Sequence, residues 1–202
     1  AATRVGPTGL IEKGRENLVT YSNDFSQWLK QNVAIANNAI SNPFGGGNTQ
    51  TMTELVGTTQ YRVYSQSVTT TSGTMYNHSI YVKRLTGSRD FAIIDVAGGA
   101  RVYFNMTTIS VGSELVGKGK IEDVGNGWYR LSVYGLATGS TAFYLAMTNG
   151  TNGGAETYTS DGSGSFALYG AQLEIGLAAT EVISTGATTG KAGLLEDEPR
   201  FD

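Results

Sequence analysis

The chain has 202 residues, among them 28 Gly, 3 Pro and no Cys, with a formal net charge of −3. Glycine at about twice its usual share of roughly 7% implies many turns, while 40% hydrophobic and 15% charged residues exclude both a disordered chain and a long charged helical bundle. The 14 Lys and Arg are scattered, which leaves no footprint for nucleic acid; a single histidine and no cysteine exclude disulfides, thiolate chemistry and a zinc centre of several imidazoles.

Residues 1–16 mix Gly, Pro and charge with no sustained period and read as an extended arm or linker. The segment FSQWLKQNVAIAN (25–37) has the best helical spacing, but β-branched residues interrupt it and Asn37-Asn38 ends it, which allows one turn at most. From Val33 onward, short stretches rich in Val, Ile, Thr, Tyr and Phe alternate with clusters of Gly, Asn, Ser and Asp, the pattern of successive strands and turns. QYRVYSQSV (60–68), TMYNHSIYVK (74–83), DFAIIDV (90–96), ARVYFNM (100–106), WYRLSVYG (128–135), TAFYLAM (141–147) and SFALYGAQLE (165–174) each have strand length. Their number requires two sheets. NPFGGGN (42–48) and the stretch 148–165 read as surface loops, and 177–202 reads as a second extended segment with an acidic patch at Glu196–Glu198 before Pro199. No apolar run approaches the ~18 residues of a membrane span, so membrane insertion is not expected.

Alternation assigns faces. Tyr76, His78, Ile80 and Val82 share one side of their strand, as do Val102, Phe104 and Met106, and Tyr129, Leu131 and Val133; these are the expected core. The opposite sides combine aromatic rings with polar groups: Tyr81 and Lys83; Arg101, Tyr103 and Asn105; Trp128 and Arg130.

Those second faces carry the candidate chemistry. Sugar rings stack their C–H faces on aromatic side chains and offer hydroxyls to amide and charged partners, so Tyr81, Lys83, Arg101, Tyr103, Asn105, Trp128 and Arg130 form a candidate glycan platform. Catalysis has a thinner inventory. Asp90 and Asp95 are an odd number of residues apart and point to opposite sides of a regular strand, neighbouring Glu122 and Asp123 diverge too, and the solitary His78 sits on the core side. No enzymatic activity is expected. Asn23, Asp24 and Asp161 are candidate oxygen ligands for a structural Ca2+, although the DGSGS loop lacks EF-hand spacing. No other cofactor is implied.

The segments NLVTYSNDFSQW (17–28), SQSVTTTSGTMYNHSIYVKR (65–84), GNGWYRLSVYG (125–135) and SFALYGAQLEIG (165–176) together resemble the carbohydrate-binding-module-like jelly-roll domain of bacteriophage virion proteins, including tail and head fibres. The flanks ATRVGPTGLIE (2–12) and AGLLEDEPRFD (192–202) resemble linkers around such modules. Trp28, Trp128 and Gln172 fall on motif positions, and packing is the leading role for Trp28 and Gln172. The resemblance implies an all-β, two-sheet antiparallel β-sandwich, a jelly roll, over residues 17–176 with extended terminal segments. It further implies a virion surface module that attaches weakly and in many copies to host-surface glycans. The alternatives are a structural decoration protein that binds itself or other virion proteins as a homo-oligomer and, more remotely, a polysaccharide-degrading enzyme.

Overall fold

The alternating segments fold as antiparallel strands because one side of each is apolar and finds burial only against a second sheet. The computed structural model describes residues 3–5, 11–13, 15–95, 99–139 and 142–192. In chain order the strands are β1 (Thr3–Val5), β2 (Ile11–Lys13), β3 (Arg15–Asn17), β4 (Leu29–Gln31), β5 (Val33–Ser41), β6 (Asn48–Glu54), β7 (Gly57–Tyr64), β8 (Met75–Thr86) and β9 (Asp90–Asp95). They continue with β10 (Arg101–Asn105), β11 (Ser110–Val116), β12 (Lys118–Gly125), β13 (Trp128–Leu136), β14 (Phe143–Thr148), β15 (Thr157–Ser160), β16 (Ser165–Ile175) and β17 (Gly190–Ala192).

One sheet has six strands in the order β12-β13-β8-β16-β6-β5. The facing sheet has seven, in the order β11-β10-β9-β14-β7, with β15 and β4 pairing with successive parts of the far side of β7. Every pairing is antiparallel. The result is a jelly-roll-like β-sandwich. Its interior is the face that alternation picks out: Tyr76, Ile80, Val82, Leu131 and Val133 from one sheet meet Phe91, Ile93, Val102, Phe104, Leu145 and Met147 from the other. Each fully buried side chain of this kind contributes about 1.5–3 kcal/mol relative to exposure.

The segment 25–37 has one 3₁₀ turn, Phe25–Gln27, capped by the Asp24 carboxylate, and then becomes β4 and β5. Trp28 is buried within 5.1 Å of the Phe25 ring and 5.9 Å of Phe143, and its indole N–H donates to the Tyr21 carbonyl at 3.1 Å. Gln172, wholly buried, donates to Glu174 at 3.0 Å and accepts the Ile183 backbone N–H. Both residues hold the fold.

Two stretches differ from their sequence reading. The loop 148–165 contains β15, where Tyr158 turns inward to lie 4.7 Å from the Tyr61 ring. A strand of two Thr, one Tyr and one Ser carries no apolar alternation, and its pairing with β7 is what makes it a strand. Residues 177–192, read as an extended arm, are fastened to the sandwich. Asn17 donates to the Ile183 carbonyl at 2.9 Å, Tyr21 N–H to the Gly186 carbonyl at 2.8 Å, and β17 pairs with β3. These are hydrogen bonds to backbone, which no hydrophobic period reveals. In the N-terminal stretch, β1 pairs with β2. The acidic patch Glu196–Glu198 and the remainder of 193–202 lie outside the described residues.

Candidate functional site

The seven residues of the expected glycan platform fall into two groups on opposite outer faces. Tyr81 and Lys83 of β8 and Trp128 and Arg130 of β13 project from the six-stranded sheet, whereas Arg101, Tyr103 and Asn105 of β10 project from the seven-stranded sheet. With the whole core between them, one ligand does not touch both groups. Nor are the rings exposed: Trp128, Tyr103 and Tyr81 are 1%, 0% and 4% accessible. This corrects the reading of those faces as open aromatic surfaces.

The cover combines apolar side chains, Ile40, Leu85, Tyr169 and Val182 on the Tyr81–Trp128 cluster and Ile94 and Ala155 on Tyr103, with polar contacts. On the six-stranded sheet, the Trp128 indole N–H donates to the Ser41 carbonyl at 3.2 Å, and the exposed Phe44 ring sits 5.5 Å from Tyr81. Arg130 stacks its guanidinium 5.0 Å from the Tyr81 ring centre and donates to the Thr180 carbonyl, while Lys83 donates to the Asn126 carbonyl at 2.7 Å. Burial pushes the Tyr81 phenol up, opposed by the nearby Arg130 charge. On the seven-stranded sheet the Tyr103 hydroxyl donates to Glu156 at 2.5 Å and Arg101 donates to the same carboxylate oxygen at 2.8 Å. Burial works against the Glu156 charge, but bonds from Tyr103 and Arg101 outweigh it and hold its carboxyl below the usual range. The Asn105 side-chain oxygen accepts from the backbone N–H groups of Thr107 and Thr108 at 2.9 and 2.7 Å and so builds a turn.

The candidate calcium residues do not converge. Asn23 uses its amide on Ser184 at 3.0 Å and its oxygen on the Gly170 N–H at 2.8 Å. Asp161 caps the Ser163 N–H at 3.0 Å, beside the Glu54 end of β6, while Asp24 bonds Gln50 nearer the other end of that strand, about 13 Å along it at ~3.3 Å per residue. Among the described residues no three of His, Cys, Asp or Glu cluster as ion ligands. His78 is buried against the Phe143 ring at 5.2 Å, out of reach of any substrate.

A half-buried aromatic surface lies elsewhere on the seven-stranded sheet. Tyr64 of β7 and Tyr144 of β14 are direct cross-strand partners, and their rings stack with centroids 4.7 Å apart and planes 14° off parallel. The Arg62 guanidinium stands 4.6 Å from the Tyr144 centroid and donates to the Gln31 side chain at 2.7 Å. Leu29, which pairs with Tyr64 on β4, is 46% exposed and extends the surface with an apolar side chain. The sequence reading does not single out Arg62, Tyr64 or Tyr144, although they lie in the expected strands QYRVYSQSV and TAFYLAM. What sequence lacked was the register that sets Tyr144 opposite Tyr64.

No family model and no curated protein matches the chain. Among solved structures, it is similar at 14% identity and a TM-score of 0.43 to the CBM22-1 xylan-binding domain of Paenibacillus barcinonensis Xyn10C, over 83% of this chain and 99% of that one. It is also similar at 14% identity and a TM-score of 0.40 to the CBM22-1–GH10 modules of Clostridium thermocellum endo-1,4-beta-D-xylanase 10B, complexed with xylohexaose. That overlap covers 83% of this chain and 29% of the xylanase chain.

Proposed function

We propose that this chain is a non-catalytic carbohydrate-binding module, carried in many copies on the surface of a bacteriophage particle and used to hold host-surface glycans. The observation that carries the binding reading is the Tyr64–Tyr144 stack with Arg62 and Gln31 beside it. Its planar groups are fixed by cross-strand pairing and by the Arg62–Gln31 bond, so a sugar chain that docks there finds stacking surface and donors already in place, and little ordering entropy opposes binding. The virion setting rests on the likeness of the four sequence segments to phage modules. Weak sites suffice in an array, since multivalency raises apparent affinity by about 10² to 10⁴.

The test is a glycan array probed with multivalently displayed protein. The parent binds a defined set of glycans, and Tyr64→Ala and Tyr144→Ala lose that binding while their thermal unfolding stays cooperative. A blank array with folded parent protein, or full binding by both variants, defeats the reading.

A second reading, assembly with other virion subunits or with copies of itself, is favoured by one feature. Leu136, Ile175 and Leu177 are 54%, 62% and 60% exposed at the Met75 end of the six-stranded sheet. Light scattering on Leu136→Asp and Ile175→Asp decides it: an assembly that uses this end loses mass in both variants.

A further inference from the structure

The outer face of the seven-stranded sheet carries a row of apolar groups that runs across the strands. Leu29 of β4, Tyr64 of β7, Tyr144 of β14 and Ile94 of β9 are successive cross-strand partners. Three strand spacings, about 14 Å, separate the ends of the row. All four side chains are at least partly exposed. Two residues away on the same face, Gln31 of β4 and Arg62 of β7 are partners in turn. Arg62 faces Ala146 of β14, and that methyl leaves room for the guanidinium to lean toward Tyr144, 4.6 Å from the ring centre.

Arg62 is the informative residue, because its charge is unmatched. Arg89 pairs with Glu54 and Arg101 with Glu156, but among the described residues no carboxylate lies within ion-pair distance of Arg62. Its Nε–H donates to Gln31 Oε1 at 2.7 Å, its one hydrogen bond among the described residues. Neither Nη nitrogen is sealed from solvent. A guanidinium is planar and holds its five N–H groups in a fixed fork. With Nε–H tied to Gln31 and the group held beside Tyr144, the end-on edge formed by Nη1 and Nη2 is fixed in direction and open. That edge matches the two oxygens of a carboxylate, which accept from it in parallel. A single sugar hydroxyl engages one side of such a fork and leaves the charge unmatched.

Resting on the reading of this surface as a glycan site, we propose that it selects acidic glycans. A uronate carboxylate accepts from Arg62 Nη1 and Nη2 while the C–H face of a sugar ring lies against Tyr64 and Tyr144. Gln31 is a positioning residue that acts through Arg62 by holding the guanidinium in line. The length of the row suits a run of sugars along a polymer. A formal net charge of −3 gives the chain no general attraction for a polyanion, so the preference comes from this one fork.

The experiment measures binding of the full chain to polygalacturonate, alginate and hyaluronan, each beside its carboxyl-reduced form, in which every uronate carboxylate has become a hydroxymethyl group. Dextran sulfate serves as a polyanion without carboxylates. At least one acidic polymer binds about tenfold or more tighter than its reduced form. Arg62→Met keeps the packing against Tyr144 and removes that preference, whereas Arg62→Lys keeps the charge without the fork and lies between. Gln31→Ala lowers the preference severalfold with unchanged thermal unfolding, and Tyr64→Ala loses the acidic and the reduced polymer alike. Equal binding of both forms by the parent, an undiminished preference in Arg62→Met, or dextran sulfate bound as tightly as the carboxylate polymers overturns the proposal and leaves the glycan reading in place. No binding to any polymer in either form also overturns it, and the glycan array then decides the wider reading.

Discussion

His78 Nε2, from one sheet, stands 3.6 Å from Asp95 Oδ2, from the other, with both side chains almost wholly inaccessible. Burial dominates this contact and pushes the imidazole down from its ordinary 6.5 to about 4, against the pull of the Asp95 charge. The unfolded chain therefore takes up a proton that the folded chain refuses. The resulting stability is fully present above pH 6.5 and is lost as pH falls through 4, by up to about 3 kcal/mol. Urea midpoints measured between pH 7 and pH 4.5 should fall for the parent and stay nearly level for His78→Gln.

Glu54 is a buried carboxylate shared by three elements. It accepts from Arg89 at 3.0 and 3.1 Å, from the Tyr158 hydroxyl at 2.5 Å and from the Gly164 N–H at 2.9 Å. Burial opposes its charge, yet these donors, Arg89 foremost, hold its carboxyl below the ordinary 4.5. Its stabilisation is thus present above that value and lost as pH falls through the lower folded one. Glu54→Gln leaves Arg89 without its counter-charge and should cost about 2–4 kcal/mol, whereas Tyr158→Phe should cost about 1. A chemical-denaturation double-mutant cycle checks both, and a coupling near zero would contradict the shared-carboxylate account.

Truncating the buried rings is a fold experiment. Trp128→Ala and Tyr103→Ala should each lose about 3–5 kcal/mol, since each empties a filled site and strands a polar partner, the Ser41 carbonyl or the Glu156 carboxylate. Thermal melts should drop by many degrees for these two and by few for Tyr64→Ala and Tyr144→Ala. Equal melts across the four would contradict the burial described.

Gly135, in β13, passes so close to the 99–100 turn that a Cβ there would overlap the Gly99 carbonyl oxygen. That obstacle is backbone and has no rotamer to give way. Gly135→Ala should therefore destabilise by several kcal/mol, as overpacking against fixed atoms does. Gly73→Ala is the comparison: its Cβ meets nothing within 4 Å, and only its φ of +77° penalises it, by about 1–2 kcal/mol. Denaturation midpoints should rank Gly135→Ala well below Gly73→Ala.

Much of the candidate surface was half legible. The strands that carry Arg62, Tyr64 and Tyr144 were expected, but strands are not neighbours, and only the Tyr64–Tyr144 register made a stack of those rings. Alternation put Trp128 and Tyr103 outward, which is correct, yet outward is not exposed: Ile40 and Val182 with the Ser41 and Thr180 carbonyls cover one face, and Ala155 with the Glu156 carboxylate the other, all from segments distant along the chain.

The sequence by itself determined the all-β class, the two-sheet requirement and the core side of β8, β10 and β13, because burial of one side of a strand is written locally every second residue. Tertiary structure alone decided which outer faces stay open and where residues 177–192 lie. Those outcomes depend on partners such as Asn17 and Ile183, 166 positions apart along the chain. A hydrogen bond between groups so distant leaves no periodic mark on either segment.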